Sequence, residues 1–346
     1  MPSKTFLQTK TLSPSYIAVD LTYRCALNCP FCFVKRNGLS DECGCELGLA
    51  GWLKIIRALG PGGKKFYLTG GEPLLLPFLP ALVRELKTAG HSVLVTTAAR
   101  VSSEAAAELA AAGPDEIALS VHGPRAAHDR IAGAGTWSAT IPNLEIMKAR
   151  RPAGTRITLW CTVNQGNHAR LPETWRALAS LGADGVAFNH LEFVSASDTG
   201  ATAKLLSGIG LRTPLKASAD LLRGIDAAKL AAGVAAVQRK AGPAVKFYPP
   251  LTGAEIKAWY SPGTAFKKKG FCLGQFRATW FAPDGRLLTC QPLAVHAGAG
   301  LPSPLAAYNG PAYSAFRILL LKQGGFLPAC RRCGRAPYHT LENKGV

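Results

Sequence analysis

From Tyr16 onward, short apolar runs alternate with longer amphipathic stretches. "YIAVDL" predicts a strand that runs straight into a cysteine loop. Leu49–Leu59, with apolar positions at helical spacing, predicts a helix. "KKFYLTGGEP" predicts a strand ending in a glycine turn, and Leu79–Gly90 a helix stopped by Gly90. "SVLVTT" predicts a strand, and "SSEAAAELAAAG" a helix capped by Ser102 or Ser103. "EIALSV", "RITLWCTV" and "GVAFNHLEFV" predict further strands. Between them lie helices at "SATIPNLEIMKAR", where Pro142 is expected in the first turn, and at "LPETWRALASLG".

Six such β–α repeats between residues 16 and 195 predict a parallel sheet with right-handed crossovers. The expected fold is α/β: a partial (β/α)6 TIM-like barrel, short of the eight strands of a closed one. Sites in such sheets form at the C-terminal strand ends. The cysteine loop, the GGEP turn and "LSVHGP" all follow strands, so they are expected at one mouth. Residues 1–15 read as an N-terminal extension. After Val194 the pattern changes. "SASDTGATAKLLSGIG" is polar and glycine-rich and reads as a mobile crossing. Residues 196–260 are expected to form a helical connection that completes the core, with a further strand candidate at "AVKFYPP". From Ser261, "QFRATWFAPDGRLLTC" alternates with period two around Pro283, Asp284 and Gly285. Residues 261–346 are therefore expected as a small α+β domain.

The chain has 346 residues, 48% of them apolar, enough for a large core and a smaller unit. "RILLLKQGGFL" is broken by Lys322, and no run reaches the length of a membrane span. The N-terminus lacks the apolar centre of a signal peptide. A cytoplasmic protein is expected. The net charge of +19 suits nucleic acid, an anionic substrate or an acidic partner. No basic run is interleaved with aromatic residues as a single-strand platform requires, so nucleic acid is not expected.

Ten cysteines in a reducing compartment point to metal or redox chemistry. Cys25, Cys29 and Cys32 form CxxxCxxC. Three thiolates can hold three irons of a [4Fe–4S] cube and leave the fourth open; zinc with a distant fourth ligand is the alternative. "TGGEP" follows the next strand, and its glycines allow close backbone approach to a ligand. Cys272 and Cys290 flank the predicted hairpin, and Cys330 and Cys333 supply a second pair. Four ligands close a metal site, for which a zinc ribbon is the generic alternative. Cys161 alternates within a strand and reads as core. Cys43 and Cys45 fall near a helix start, where a thiol pKa is lowered; an incidental pair is the expectation.

At CxxxCPFC and GGEP the chain resembles the radical S-adenosylmethionine (SAM) superfamily. The resemblance implies that Cys25, Cys29 and Cys32 hold a SAM-binding [4Fe–4S] cluster. It also implies that Phe31 contacts adenine, and that Gly70, Gly71 and Glu72 receive the methionine amino group. "LSVHGPRAAHDRIAGAGTW" resembles the SPASM/twitch branch, which implies Ser120 near the SAM ribose or carboxylate. Thr97 and Asn164 are weaker matches to polar SAM contacts, with strand-end capping as their alternative. In this branch Cys272, Cys290, Cys330 and Cys333 resemble a twitch domain with one auxiliary [4Fe–4S] cluster suited to electron relay. A full SPASM domain needs further cysteines after Cys333, and "GRAPYHTLENKGV" has none. Lys267, Lys268, Lys269, Arg331, Arg332 and Arg335 surround these cysteines. Nearby cations stabilise the reduced form of an anionic cluster; a solvated basic face, or a dock for an acidic electron donor, are the alternatives.

The resemblance implies reductive cleavage of SAM to a 5′-deoxyadenosyl radical that abstracts hydrogen from a substrate C–H bond, with flavodoxin or ferredoxin as reductant. The first expectation is oxidation of a small polar metabolite, since the auxiliary-site layout resembles that of an aminocyclitol dehydrogenase. The alternative is maturation of a ribosomally made peptide or protein. Little chain precedes the first strand, which leaves no room for a fused peptide-recognition domain and lowers that alternative. A molybdopterin-precursor cyclase is disfavoured by the four-cysteine pattern, and a zinc-binding interaction protein is the non-enzyme reading. His122, His190 and Glu192, near strand ends, are the candidates for substrate binding or proton transfer. Trp259, Tyr260 and Tyr248 are candidates to line the pocket.

Overall fold

A computed structural model describes residues 11–42, 45–264, 266–268, 270, 272–297 and 303–334. β1 (Tyr16–Thr22) is buried at every position after its first, as a strand covered on both faces must be. It is followed by β2 (Lys65–Gly70), β3 (Ser92–Thr97), β4 (Glu116–Ser120), β5 (Arg156–Thr162), β6 (Gly185–Asn189) and β7 (Val245–Tyr248). Each pairs in parallel with the next. On the other side of β1 lies β8 (Ala278–Phe281), also parallel, with Tyr16 opposite Ala278. β9 (Leu287–Leu288) then turns back antiparallel to β8. The nine-stranded sheet runs β7-β6-β5-β4-β3-β2-β1-β8-β9.

Eight strands are thus parallel, where the alternating pattern predicts six. The two extra ones are only four residues long and lie beyond the regular repeat. β8 falls in the segment expected as a separate domain, yet its ladder is continuous with the barrel across the boundary drawn at residue 261.

Strand positions of one parity, such as Ile17, Phe66, Val93, Ile117 and Ile157, are buried in one core with helix residues Trp52, Leu82, Leu109 and Leu144. The helices supplying these are α1 (Leu49–Ala58), α2 (Leu79–Thr88), α3 (Ser103–Ala111) and, after α4 (Arg125–Ala132), α5 (Thr136–Arg150). α6 (Leu171–Ala179) completes the regular crossovers. Residues of the other parity, among them Tyr67, Thr96, Thr158 and Trp160, line an internal cavity, as the two-residue strand period requires. No helix among the described residues is long and apolar enough to cross a membrane.

Two local expectations are corrected. Pro142 lies inside α5 and not in its first turn. The helix starts earlier than predicted, at Thr136, behind Gly135 at φ 76°, a left-handed conformation that glycine adopts without strain. The glycine-rich crossing is a helix, α7 (Ala196–Ser207), whose N-cap Ser195 accepts a hydrogen bond from the Asp198 N–H at 3.1 Å. It is followed by α8 (Ala227–Ala241). Leu206 of α7 packs with Phe316 and Leu320 in a second core.

At the base of the barrel, Asp184 accepts from the Ile157 N–H at 2.7 Å and pairs with Arg151. The Arg151 hydrogen bond holds the Asp184 carboxyl below its usual range. A depressed folded pKa contributes stability above the ordinary aspartate value of about 3.9, and loses it as pH falls through the folded value. The urea midpoint is expected to fall on acidification below about pH 4, and Asp184→Asn to blunt that fall.

Candidate active site

β1 delivers the chain into the loop bearing Cys25, Cys29 and Cys32, all half-buried. The Cys32 N–H donates to the Cys29 carbonyl at 2.9 Å, and the Cys32 carbonyl accepts from Arg36 N–H at 3.0 Å, starting the helical turn Phe33–Arg36. The Leu27 N–H points at Cys25 Sγ, 3.4 Å away. The exit of β2 is pressed against this loop. Gly71 N–H donates to the Thr22 carbonyl at 2.6 Å, and Glu72 N–H to the Arg24 carbonyl at 2.9 Å. A Cβ on Gly70 would sit 2.3 Å from Thr22 O, and one on Gly71 2.2 Å from Arg24 O. The glycines therefore have a structural reason, the contact of two strand exits, beside the ligand role implied by resemblance.

Glu72 is 4% exposed. Its carboxylate accepts from Thr97 Oγ1 (2.6 Å), Ala98 N–H (2.9 Å) and Leu74 N–H (3.1 Å). Burial pushes its pKa up against these bonds. Burial also raises the Cys25 thiol, with the nearby Glu72 and Cys32 charges adding to the effect, so the carboxylate and the thiols share one pocket. Thr97 acts on Glu72, and its hydroxyl also accepts from Ala99 N–H at 2.8 Å. Ala99 has φ 50°, a strained conformation for a residue with a Cβ. It is held by α5: Thr140 Oγ1 donates to Ala98 O (2.8 Å) and Asn143 Nδ2 to Ala99 O (2.9 Å). Sequence reasoning missed Thr140 and Asn143; their i, i+3 spacing on one helix face was the available signal. Thr97→Val is expected to cost about 1–3 kcal/mol, the penalty for leaving buried polar groups unpaired, read as a lowered urea midpoint.

The cavity has a volume of about 1030 Å³, and Phe31, Ser120, Thr162, Asn189, His190 and Glu192 line its C-terminal end. Phe31 stands edge-on to His122, ring centroids 5.1 Å apart. His122 Nδ1 accepts from Thr162 N–H at 3.3 Å. Burial, with His128 adjacent, pushes the His122 pKa down to about 3. It is a neutral prop behind Phe31. His190 is 2% exposed, with Nδ1 3.1 Å from the Tyr260 hydroxyl, and burial takes its pKa to about 4. Trp259 is fully buried and donates to Leu191 O at 2.9 Å, while Tyr248 lines the cavity. Asn164 donates to Thr162 O and accepts from Gly166 N–H, both at 2.7 Å, within its own loop. These bonds are those of a strand-end cap.

The later cysteines act on one another electrostatically, and Cys333 lines the cavity itself. Burial raises the Cys272 thiol to about 11 and Cys330 to about 12, and pushes Cys290 well above the usual thiol range. Cys290 also senses Cys330, Cys333 and Cys272. The loop carrying Cys330 and Cys333 is pinned on several sides. Ala329 N–H donates to Thr202 Oγ1 (2.9 Å), Arg331 pairs with Asp198 (2.5 Å), and Gly334 N–H donates to Glu192 Oε1 (2.8 Å). Glu192 thus joins the cavity wall to this loop. Asp198 and Thr202 carry no sequence signal of their own, because the partners they meet arrive far later in the chain. Cys45 is exposed and Cys161 buried; Cys43, Lys269 and Arg335 lie outside the described residues.

Among the described residues, no three His, Cys, Asp or Glu side chains converge closely enough to hold one metal ion. Tetrahedral zinc needs every ligand atom within about 2.3 Å of one centre. In a [4Fe–4S] cube each thiolate binds its own iron, so its ligand atoms stand farther apart than those around a single metal ion. Three thiols fit a cluster with one free iron, and four fit a fully ligated one. Thiols with raised pKa values reach the thiolate form when a metal cation binds them.

Residues 19–170 match the family model of the radical SAM superfamily, and this part of the chain is a radical SAM domain. Two similar proteins are PqqA peptide cyclases. That of Streptomyces rochei is 32% identical over 184 residues, 52% of this chain and 49% of its own length. That of Gluconobacter oxydans is 30% identical over 185 residues, 52% and 50% of the two chains. The chain spans about half the length of the curated relatives it matches. Streptococcus suis SuiB bound to precursor peptide SuiA superposes with a TM-score of 0.59 at 15% identity, over 88% of this chain and 67% of SuiB. Native anSMEcpe with bound AdoMet gives 0.58 at 14% identity, over 96% and 93%. At such identities these two superpositions establish the shared fold.

Proposed function

We propose that this chain is a radical SAM enzyme that modifies a peptide or protein substrate. The observation that carries the reading is the 32% identity to a PqqA peptide cyclase. The relatives favour a peptide over the small polar metabolite first expected from the cysteine layout. Cys25, Cys29 and Cys32 would hold the SAM-binding cluster. When bound, cluster and SAM supply a 5′-deoxyadenosyl radical for hydrogen abstraction.

The chain's own residues orient and enclose. Glu72, fixed by Thr97, Ala98 and Leu74, holds a carboxylate beside the thiols where an ammonium group would be received. Phe31, backed by neutral His122, offers a ring to adenine. Ser120 lies on the cavity wall at the end of β4, within the same mouth. The barrel walls keep bulk water from the reacting atoms. Cys272, Cys290, Cys330 and Cys333 form a twitch-type auxiliary site whose closed ligand set suits electron relay. The net charge of +19 suits an acidic reductant such as flavodoxin or ferredoxin.

The test is anaerobic reconstitution followed by dithionite and SAM, with short peptides encoded beside this gene as substrates. Formation of 5′-deoxyadenosine together with a peptide that has lost hydrogen, read by mass spectrometry, supports the proposal. SAM cleavage that is stimulated by an aminocyclitol and leaves every peptide unchanged would return the small-metabolite reading.

A further inference from the structure

The six basic residues near the later cysteines look equivalent in sequence, but the fold separates those it describes. Lys267 is exposed. Arg331 is neutralised by Asp198 at 2.5 Å. Arg332 is 3% exposed, and its guanidinium donates to the carbonyls of Trp259 (2.6 Å), Ser261 (2.8 Å) and Thr264 (2.7 Å). It ties one segment to another.

Lys268 is different. Its Nζ donates to the Cys333 carbonyl at 2.6 Å and lies 5.3 Å from the Phe326 ring centroid. This anchor fixes the ammonium against the backbone of one of the four cysteines. Its positive charge acts on both Cys272 and Cys330, which come from opposite ends of the ligand set. Among the described residues it has no ion-pair partner. A fixed, half-buried cation therefore stands against thiols supplied by separate segments.

A cluster held by four thiolates is anionic, and one-electron reduction adds a further negative charge. A fixed cation stabilises the more negative state more strongly, because the interaction scales with the product of the charges. We propose that Lys268 sets the reduction potential of the auxiliary cluster, holding it above the value the four thiolates alone would give. This rests on the four-cysteine site binding a [4Fe–4S] cluster, and not on the identity of the substrate.

The test is an EPR-monitored redox titration of the full chain reconstituted with both clusters, with iron quantified in each sample. Lys268→Met is expected to shift one of the two midpoints to more negative potential at unchanged iron content. Lys268→Arg, which keeps the charge, is expected to stay near wild type. The midpoint that moves should be the one missing from Cys290→Ala. If Lys268→Met loads less iron, Lys268→Gln, which keeps an N–H donor without the charge, carries the same comparison. Unchanged midpoints at full iron content would overturn the proposal, as would equal shifts in the Met and Arg variants. Peptide turnover is not read, so failure of the peptide reading leaves this result standing. Absence of a second cluster in the wild type would overturn this inference alone.

Discussion

Cys29→Ala is expected to abolish SAM cleavage and take the iron content from about eight to about four per chain. Cys290→Ala is expected to remove the same amount of iron while SAM cleavage persists. The contrast follows from the separation of the two thiol groups. Cys29 shares its pocket with Cys25 and Cys32, whose charges reinforce the effect of burial in raising its pKa to about 12. Cys290 senses only the other three cysteines of the second group among the thiols that act on it. Iron analysis and chromatographic detection of 5′-deoxyadenosine check both variants. Loss of all iron from Cys290→Ala would show that the two sites are not independent.

Gly71→Ala is expected to destabilise the protein by about 3 kcal/mol, the upper part of the range for overpacking. The new methyl group would stand 2.2 Å from the Arg24 carbonyl, a backbone atom that no rotamer change can move aside. Relief requires β2 to withdraw from the loop, breaking the bonds from Gly71 and Glu72 to Thr22 and Arg24. The loop carries Cys25, so the first cluster should load poorly while the second loads normally. The urea midpoint and the iron content after reconstitution measure the two effects separately.

The barrel core was legible because its strands are short apolar runs, as strands covered on both faces are, alternating regularly with amphipathic stretches. Ile17, Phe66, Val93, Ile117 and Ile157 all lie in such runs. The cysteines and the GGEP turn were legible because few residue types can serve there. What stayed hidden depends on contacts between distant segments. β8 pairs with β1 across most of the chain, and nothing local in "ATWF" says so. α7 is too polar to read as a packed helix, because Asp198 and Thr202 face a loop that arrives far later. Thr97 reads in sequence as a cofactor contact or a strand-end cap, and its bond to Glu72 comes only from the fold. Cysteine spacing reports on the auxiliary site and carries no information about what enters the cavity, and on that point the relatives favour a peptide over a small metabolite.

The pairing of β8 with β1 also bears on how the chain folds. The segments meeting at the base of that ladder, Ser15 and Arg277, are separated by 262 positions. During synthesis, β1 acquires β2 as a neighbour early but keeps its other edge unpaired until the C-terminal region emerges. An exposed edge strand is a template for wrong pairing, and contacts of such long range form slowly. The same strand leads into the cysteine loop, so the first cluster site is completed beside an edge that is sealed late. Truncation near residue 261 would leave that edge permanently open, and the expected product is an aggregating barrel instead of a minimal radical SAM domain.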